Sequence, residues 1–293
     1  MRRRGVNWLL WGGAAVGLTV AAAVLHASET RYPDRPNPER LLYLTSGKTA
    51  DRLMLSFDSL AADVYWIRTI QHYGRDRKSA RQTGRFEQLQ PLLDVTTTLD
   101  PHFMIAYRFG AIFLAMPPPH GPGRPDQAVA LLEKGFTRNP LRWQFPHDVG
   151  FIHYWYTGDY VLAAAWFERA ARLPNAPKWI GPLAATTKAQ GGNREGARQM
   201  LVELLTGSSE EYMRNAAERG LRQLKALDQI DQLNDLIKKF HAARGQYPAD
   251  WKELLGGQTP FDDTGAPFIY DAESHVTRLS PDSALQPLPV PIR

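Results

Sequence analysis

The sequence predicts a mainly α-helical protein in which helix pairs stack along the chain, with an apolar segment before the stack and a small α+β module after it. Three observations support this fold class. A half-motif recurs whose small residues Ala128, Ala163 and Ala197 lie 35 and 34 residues apart. An uncharged, largely apolar run covers residues 5–25, and the pattern changes after residue 227 to a helix followed by strand-like segments.

The amino terminus has the pattern of a membrane anchor. Arginines at positions 2–4 precede the apolar run, whose length matches the roughly 20 residues that a helix needs to cross the hydrocarbon core. Because basic residues stay on the cytoplasmic side, the remaining chain is predicted to lie in the periplasm of a bacterium, held at the inner membrane by one span. The alternative for residues 1–27 is a signal peptide cleaved after Ala27.

Residues 28–40 are predicted to form a spacer. Pro33, Pro36 and Pro38 lie within ten residues, and such spacing favours an extended, stiff polyproline II segment. We therefore place a domain boundary near residue 40 and the helical repeat domain at residues 41–227.

The repeat domain contains several copies of one half-motif. The clearest copy is YTGDYVLAAAWFERAARLP, with Gly158, Tyr160, Ala163, Phe167 and Pro174 at the repeated positions. Similar frames occur in PDQAVALLEKGFTRNP (125–140), GNREGARQMLVELL (192–205) and, more loosely, GRFEQLQPLLDVTTTLDP (84–101).

These residues resemble the second half of a tetratricopeptide repeat (TPR), a family with a 34-residue period. The resemblance covers about residues 53–226 and implies an α-solenoid of about four helix pairs, closed by a more polar helix at 209–227. Pro182 departs from the pattern, since it lies within a presumed first helix. The alternative is a helical bundle whose spacings coincide with the repeat.

Residues 228–293 are predicted to form a separate α+β module with a Pro-rich tail. An amphipathic stripe runs to Phe240 and Gly245 ends that helix; a short helix at 251–255 and strands at 268–270 and 275–279 follow.

About residues 228–282 of this segment resemble the carboxyl-terminal part of type II secretion major pseudopilins. The matching residues are Gly245, Tyr247, Pro248, Leu254, Pro260, Asp262, Gly265, Pro267, Phe268 and Tyr270. The assembly helix and the calcium-binding loop of that family are missing, so we carry over neither self-polymerisation nor a calcium site.

Asp263-Thr264-Gly265 matches the tripeptide of aspartic proteases, but its surroundings favour a turn. A catalytic aspartate needs a buried apolar strand before it and a second carboxylate nearby. Here Pro260 and Asp262 precede Asp263, and the chain has no second copy of the tripeptide. Adjacent aspartates followed by Gly are typical of turns. A peptidase that uses Asp263 remains the alternative function.

Composition excludes several other classes. The net charge of +5 and the near balance of 35 basic and 30 acidic residues give no reason to expect nucleic acid as a partner. The absence of cysteine excludes disulfides and zinc-thiolate sites. No phosphate-binding loop or serine elbow occurs, so we expect no enzymatic activity, cofactor or metal. The basic cluster at 75–85 favours a solvated loop and helix start, with an anionic partner as the alternative.

The function that these features favour is a membrane-anchored scaffold that binds a protein partner, as a peptide or helix, in a groove lined by first helices. Aromatic residues are abundant in the repeat domain, and some are expected to face that groove. The groove candidates are Trp66, Tyr107, Arg108, His153 and Tyr154. A passive spacer or an oligomerisation element is a further alternative.

Overall fold

The computed structural model describes residues 16–24, 27, 57–79 and 86–291. The chain divides into two compact units, Met1–Thr45 and Ser46–Arg293. In the first unit, residues 16–24 are helical. Within the described ranges, no helix is both long enough and apolar enough to cross a bilayer. The other positions of the predicted anchor, and the whole spacer at 28–40, lie outside the described residues.

The second unit is built mainly from α-helices, which confirms the predicted class. The helices are α1 Asp58–Lys78, α2 Leu89–Leu99, α3 Met104–Ala115, α4 Pro125–Arg138, α5 Gln144–Ile152, α6 Tyr160–Ala171, α7 Ile180–Gln190, α8 Arg194–Gly207, α9 Glu211–Arg244 and α10 Trp251–Leu255. A π-helical turn, His153–Thr157, extends α5, and two strands follow α10: β1 Ile269–Asp271 and β2 Val276–Arg278.

The helices pack in the order of the chain. From α1 to α9, every helix contacts the next one along the sequence, and contacts also join helices two apart, as between α2 and α4, α3 and α5, and α7 and α9. Each helix therefore covers the apolar side of its sequence neighbours. The odd-numbered helices α1, α3, α5 and α7 are the first helices of the predicted pairs.

The small residues of the half-motif lie at the closest helix contacts. Ala128, Ala163 and Ala197 are each 0% exposed. A Cβ atom at Gly135 of α4 would lie 2.3 Å from a ring carbon of Phe145 on α5. Larger side chains at these positions would force the helices apart, so the recurring Ala and Gly reflect the distance between neighbouring helices.

Pro182 fits within α7. It is the third residue of a helix that begins at Ile180, and the first turn of a helix tolerates proline because its N–H groups have no intrahelical acceptor. The helix continues for two further turns to Gln190, so this departure from the repeat pattern leaves α7 intact.

The described part of the basic cluster lies at the end of a helix. Arg75, Arg77 and Lys78 form the last turn of α1, where cations favour the negative end of the helix dipole. The remaining basic residues of the cluster, at positions 81 and 85, lie outside the described residues.

Helix α9 runs without a break through residue 227, where we predicted a domain boundary. The helix contains Gly220 but no proline, and it ends at Gly245, whose φ of 71° is the left-handed conformation typical of a helix end. Since residues on both sides of 227 keep helical spacing, the polar cap and the amphipathic helix are one element. The repeat domain and the carboxyl-terminal module therefore share α9.

The carboxyl-terminal module has the predicted short helix and hairpin. Strands β1 and β2 pair antiparallel, with Tyr270 opposite Thr277. The Trp251 indole N–H donates to the Phe268 carbonyl at 2.8 Å, and both side chains are buried. The tail then returns to α9, where the Gln223 side-chain amide donates to the carbonyls of Leu285 and Pro287, at 2.9 Å each.

Candidate partner-binding site

Four of the five predicted groove residues are partly exposed, and the fifth is not. Tyr107 is 0% exposed and lies in the core, so its assignment to the groove is wrong. Its ring packs edge-on against Phe145, and its hydroxyl donates to the Thr97 carbonyl at 3.1 Å. Burial raises the pKa of Tyr107 to about 12, although the hydrogen bond to Thr97 acts in the opposite direction. Tyr107 thus ties α3 to α2 and α5.

Trp66 is half-buried at the contact between α1 and α3. Its indole stacks on Phe113, with ring centroids 6.2 Å apart and planes 6° apart, and it meets Phe103 edge-on. Because Trp66 packs against these rings, only part of its indole is exposed for contact with a partner.

Arg108 connects two first helices. Arg108 lies on α3 and Asp148 on α5. The Nε of Arg108 donates to Asp148 Oδ2 at 2.5 Å and its Nη2 donates to Oδ1 at 3.2 Å, so a bidentate ion pair joins the two helices. The hydrogen bonds to Asp148 raise the pKa of Arg108. The guanidinium side chain is 41% exposed and the carboxylate 15%, so the arginine side of the pair faces solvent.

The same carboxylate holds a histidine within an aromatic cage. Asp148 Oδ1 lies 2.9 Å from His147 Nδ1. The imidazole meets Trp143 edge-on at 5.8 Å and Trp179 at 5.5 Å, and Phe167 lies at 5.5 Å on its other side. Trp179 immediately precedes α7, so these contacts connect α7 to α3 and α5.

We define the first-helix surface by the members of this network and the exposed apolar residues around it. Its residues are Ile105, Arg108, Phe109, Trp143, His147, Asp148, Trp155 and Trp179. The four apolar side chains at positions 105, 109, 155 and 179 are 52, 52, 60 and 42% exposed. Large exposed side chains around a half-buried ion pair have the composition of a protein-binding surface.

His153 and Tyr154 lie in the π-helical turn after α5. Such turns place one extra residue in the helix and occur often at functional sites. Tyr154 packs edge-on against Trp155 at 5.4 Å, and its hydroxyl accepts from the Gln190 amide of α7 at 3.2 Å. Burial lowers the pKa of His153, although the charges of Asp159 and Glu133 oppose that change.

Arg108 and Asp148 satisfy one another, and no group of three His, Asp or Glu side chains within the described ranges has a geometry that could hold a metal ion. The first-helix surface can offer aromatic contact area, one partly exposed cation and the imidazole of His147.

The Asp-Thr-Gly segment forms the predicted turn, held by the aspartate before it. Asp262 Oδ1 accepts from the Thr264 amide at 2.8 Å and the Ala266 amide at 3.0 Å, and its other oxygen accepts from the Ser283 hydroxyl. Gly265 takes a positive φ of 82°, which glycine adopts without strain. Burial opposes ionisation of Asp262, but these hydrogen bonds outweigh it and lower its pKa.

Asp263 is held by an ammonium group. Its Oδ1 accepts from Lys225 Nζ of α9 at 2.7 Å. A shared proton would instead need a second carboxylate at that position. The contacts of Asp263 therefore add no support to the peptidase hypothesis, which rests on the Asp-Thr-Gly tripeptide alone.

Of the eight members of the surface, sequence reasoning selected only Arg108. It missed Trp143, His147, Asp148 and Trp179 of the contact network, and also Ile105, Phe109 and Trp155. One signal was available. Trp143 and Trp179 are 36 residues apart, close to the repeat period, and each immediately precedes a first helix. These tryptophans recur at the repeat period but do not occupy the positions at which the helices pack. Such a recurrence indicates a surface that continues from one helix pair to the next.

The chain matches no protein-family model, and neither a curated protein nor a solved structure is significantly similar to it.

Proposed function

We propose that this protein is a membrane-anchored TPR-like scaffold that faces the periplasm and binds a protein partner on its first-helix surface. The single observation that carries the proposal is the contact network from Arg108 through Asp148 and His147 to Trp179, which joins three consecutive first helices. Exposed apolar side chains lie on the same elements, Ile105 and Phe109 on α3 and Trp155 in the turn after α5. A partner that covered them would gain hydrophobic stabilisation.

Two further features support a solenoid of helix pairs. Neighbouring helices pack in chain order, and the small residues that recur at the repeat period are fully buried between them. In such an array, the first helices present a continuous surface to a partner. The arginines at positions 2–4 and the uncharged run at 5–25 support attachment to the inner membrane.

The resemblance of residues 228–282 to pseudopilins suggests the setting of the partner. We propose that the partner belongs to a secretion or pilus-like assembly, and that the scaffold has no enzymatic activity.

The proposal is tested by capturing partners with the tagged full-length protein from detergent-solubilised membranes, after cross-linking in intact cells. Phe109→Ala and Trp155→Ala each remove an exposed side chain from the first-helix surface. Tyr212→Ala is the matched control, since Tyr212 is 68% exposed on α9. We expect the wild type and the control to capture the same partner, and the two surface variants to lose most of it.

Two outcomes would count against this proposal. Capture that is unchanged in Phe109→Ala and Trp155→Ala would mean that the partner binds elsewhere. Cross-links that join only copies of this chain would instead support the passive spacer or oligomerisation alternative.

A further inference from the structure

Helix α1 carries an exposed apolar stripe on the side that faces away from α2. Four residues at helical spacing form its first half: Phe57, Leu60, Val64 and Ile67. Their side chains are 68, 63, 43 and 53% exposed. Spacings of three and four residues put them on one side of the helix, opposite the buried Ala62 and Thr69.

The second half of the same stripe is basic. Gln71, Arg75 and Lys78 continue the helical spacing, and all three are exposed. The three acidic residues of α1 lie off this line, since Asp63 projects to the flank and Asp58 and Asp76 toward the buried side. The stripe therefore has apolar residues along its first three turns and only positive charge along its last two.

The exposed apolar residues of α1 are unusual for the outer side of the first helix in an array. The first helix of an array has no preceding repeat to cover it, so its outer side is normally polar. A row of four exposed apolar side chains in that position indicates an interaction surface.

We propose that the α1 stripe, residues 57–78, lies on an anionic lipid surface. Phe57, Leu60 and Val64 insert between the headgroups, while Arg75 and Lys78 contact lipid phosphates. An interfacial helix binds through buried apolar area together with attraction between its cations and anionic lipids, and both are present on this side. The inference rests on the proposed membrane attachment.

A second copy of the chain is a poorer occupant of the stripe. Parallel pairing of two α1 helices would bring Arg75 and Lys78 against the same cations of the other copy. Antiparallel pairing along the whole stripe would set Arg75 against Leu60, whose aliphatic side chain offers the guanidinium no hydrogen-bond acceptor. A lipid surface accommodates both halves of the stripe, because its acyl chains cover the apolar side chains and its phosphates pair with Arg75 and Lys78.

The chain has no cysteine, so single labels can be placed without removing native residues. Leu60→Cys and Val64→Cys, each carrying an environment-sensitive fluorophore, report on the apolar half of the stripe. Tyr212→Cys, on α9, is the control. Each full-length variant is reconstituted into vesicles of phosphatidylcholine alone or mixed with phosphatidylglycerol, with brominated acyl chains as quenchers.

We expect both α1 labels to shift to the blue and to be quenched in the anionic vesicles, and more weakly in the neutral ones. The control label should be quenched in neither. Arg75→Gln and Lys78→Gln should each lower the ratio of docked to undocked helix about fivefold in the anionic vesicles. Arg77→Gln, which removes a charge from the same turn but off the stripe, should change it little.

Three results would overturn the inference. The first is quenching of the α1 labels no stronger than that of the Tyr212 control. The second is equal quenching in neutral and anionic vesicles with no effect of Arg75→Gln. The third is a blue shift without lipid quenching, which would point to a protein on the stripe. Failure of the full-length protein to insert into any vesicle would instead contradict the proposed anchor, so the two failures are distinguishable.

Discussion

Replacing Gly135 by alanine tests whether the close contact between α4 and α5 holds the fold together. The added Cβ would lie 2.3 and 2.8 Å from ring carbons of Phe145 and 2.9 Å from a ring carbon of Tyr107. Both rings are 0% exposed, so they have no solvent-filled space into which to move. Overpacking of this kind costs about 1–3 kcal/mol.

An opposing contribution comes from the helix itself. Alanine in a helix interior is favoured over glycine by about 0.5–1 kcal/mol, because glycine loses more backbone freedom on folding. The middle of these two ranges leads us to expect that Gly135→Ala lowers the free energy of unfolding by a net amount of about 1 kcal/mol. Gly74→Ala is the matched control, since no atom lies within 4 Å of the added Cβ in α1. That variant should gain about 0.5–1 kcal/mol.

The assay is urea unfolding of the full-length protein, followed by circular dichroism at the helical signal, with the two variants and the wild type at equal concentration. A change in the midpoint at constant slope reports the difference in stability. The reasoning fails if Gly135→Ala is as stable as the wild type, or if both variants shift the midpoint in the same direction.

Three further predictions concern side-chain contacts. Tyr107→Phe should cost about 1–2 kcal/mol in urea unfolding, because the Thr97 carbonyl loses a buried donor; an unchanged midpoint would contradict this. A double-mutant cycle with Arg108→Ala and Asp148→Ala should give a coupling of only about 0.5–1 kcal/mol, because the guanidinium is partly exposed; a value near zero would argue against the pair. Asp262→Asn should cost about 1–3 kcal/mol at neutral pH. Since the folded-state pKa of Asp262 lies below its ordinary value of 3.8, this loss should be full above that pH and should shrink as pH falls through the lowered pKa, which unfolding curves at several pH values would show.

Local patterns in the sequence predicted the helices because each pattern has a local cause. Helical spacing, Gly and Pro at the ends, and small residues at the repeat period led to segments that the structure shows as α4, α6 and α8. The short helix Trp251–Leu255 has the predicted bounds, since Asp250 caps its start and Gly256 ends it with a positive φ of 64°.

The sequence could not separate the two sides of a first helix. Tyr107 and Arg108 are neighbours in the chain, and both seemed suitable for a groove, but the tyrosine points into the core and the arginine to the surface. The direction depends on where α2 and α5 lie, which only the packing decides. The predicted boundary at residue 227 lies within α9 for a related reason, since a change in composition does not interrupt a helix that keeps its periodicity.

Helix α9 connects α8 to the two-stranded sheet without a break. Near its start it packs on α8, in its middle Gln223 holds the returning tail, and further on Asn234 accepts from the backbone amide of Thr277 in β2 at 2.7 Å. A continuous helix resists bending because each turn is hydrogen-bonded to the next. The sheet module is therefore held in a fixed orientation relative to α8. A partner that bridges the first-helix surface and the module would accordingly meet two surfaces whose spacing is set before binding, which lowers the entropic cost of binding both.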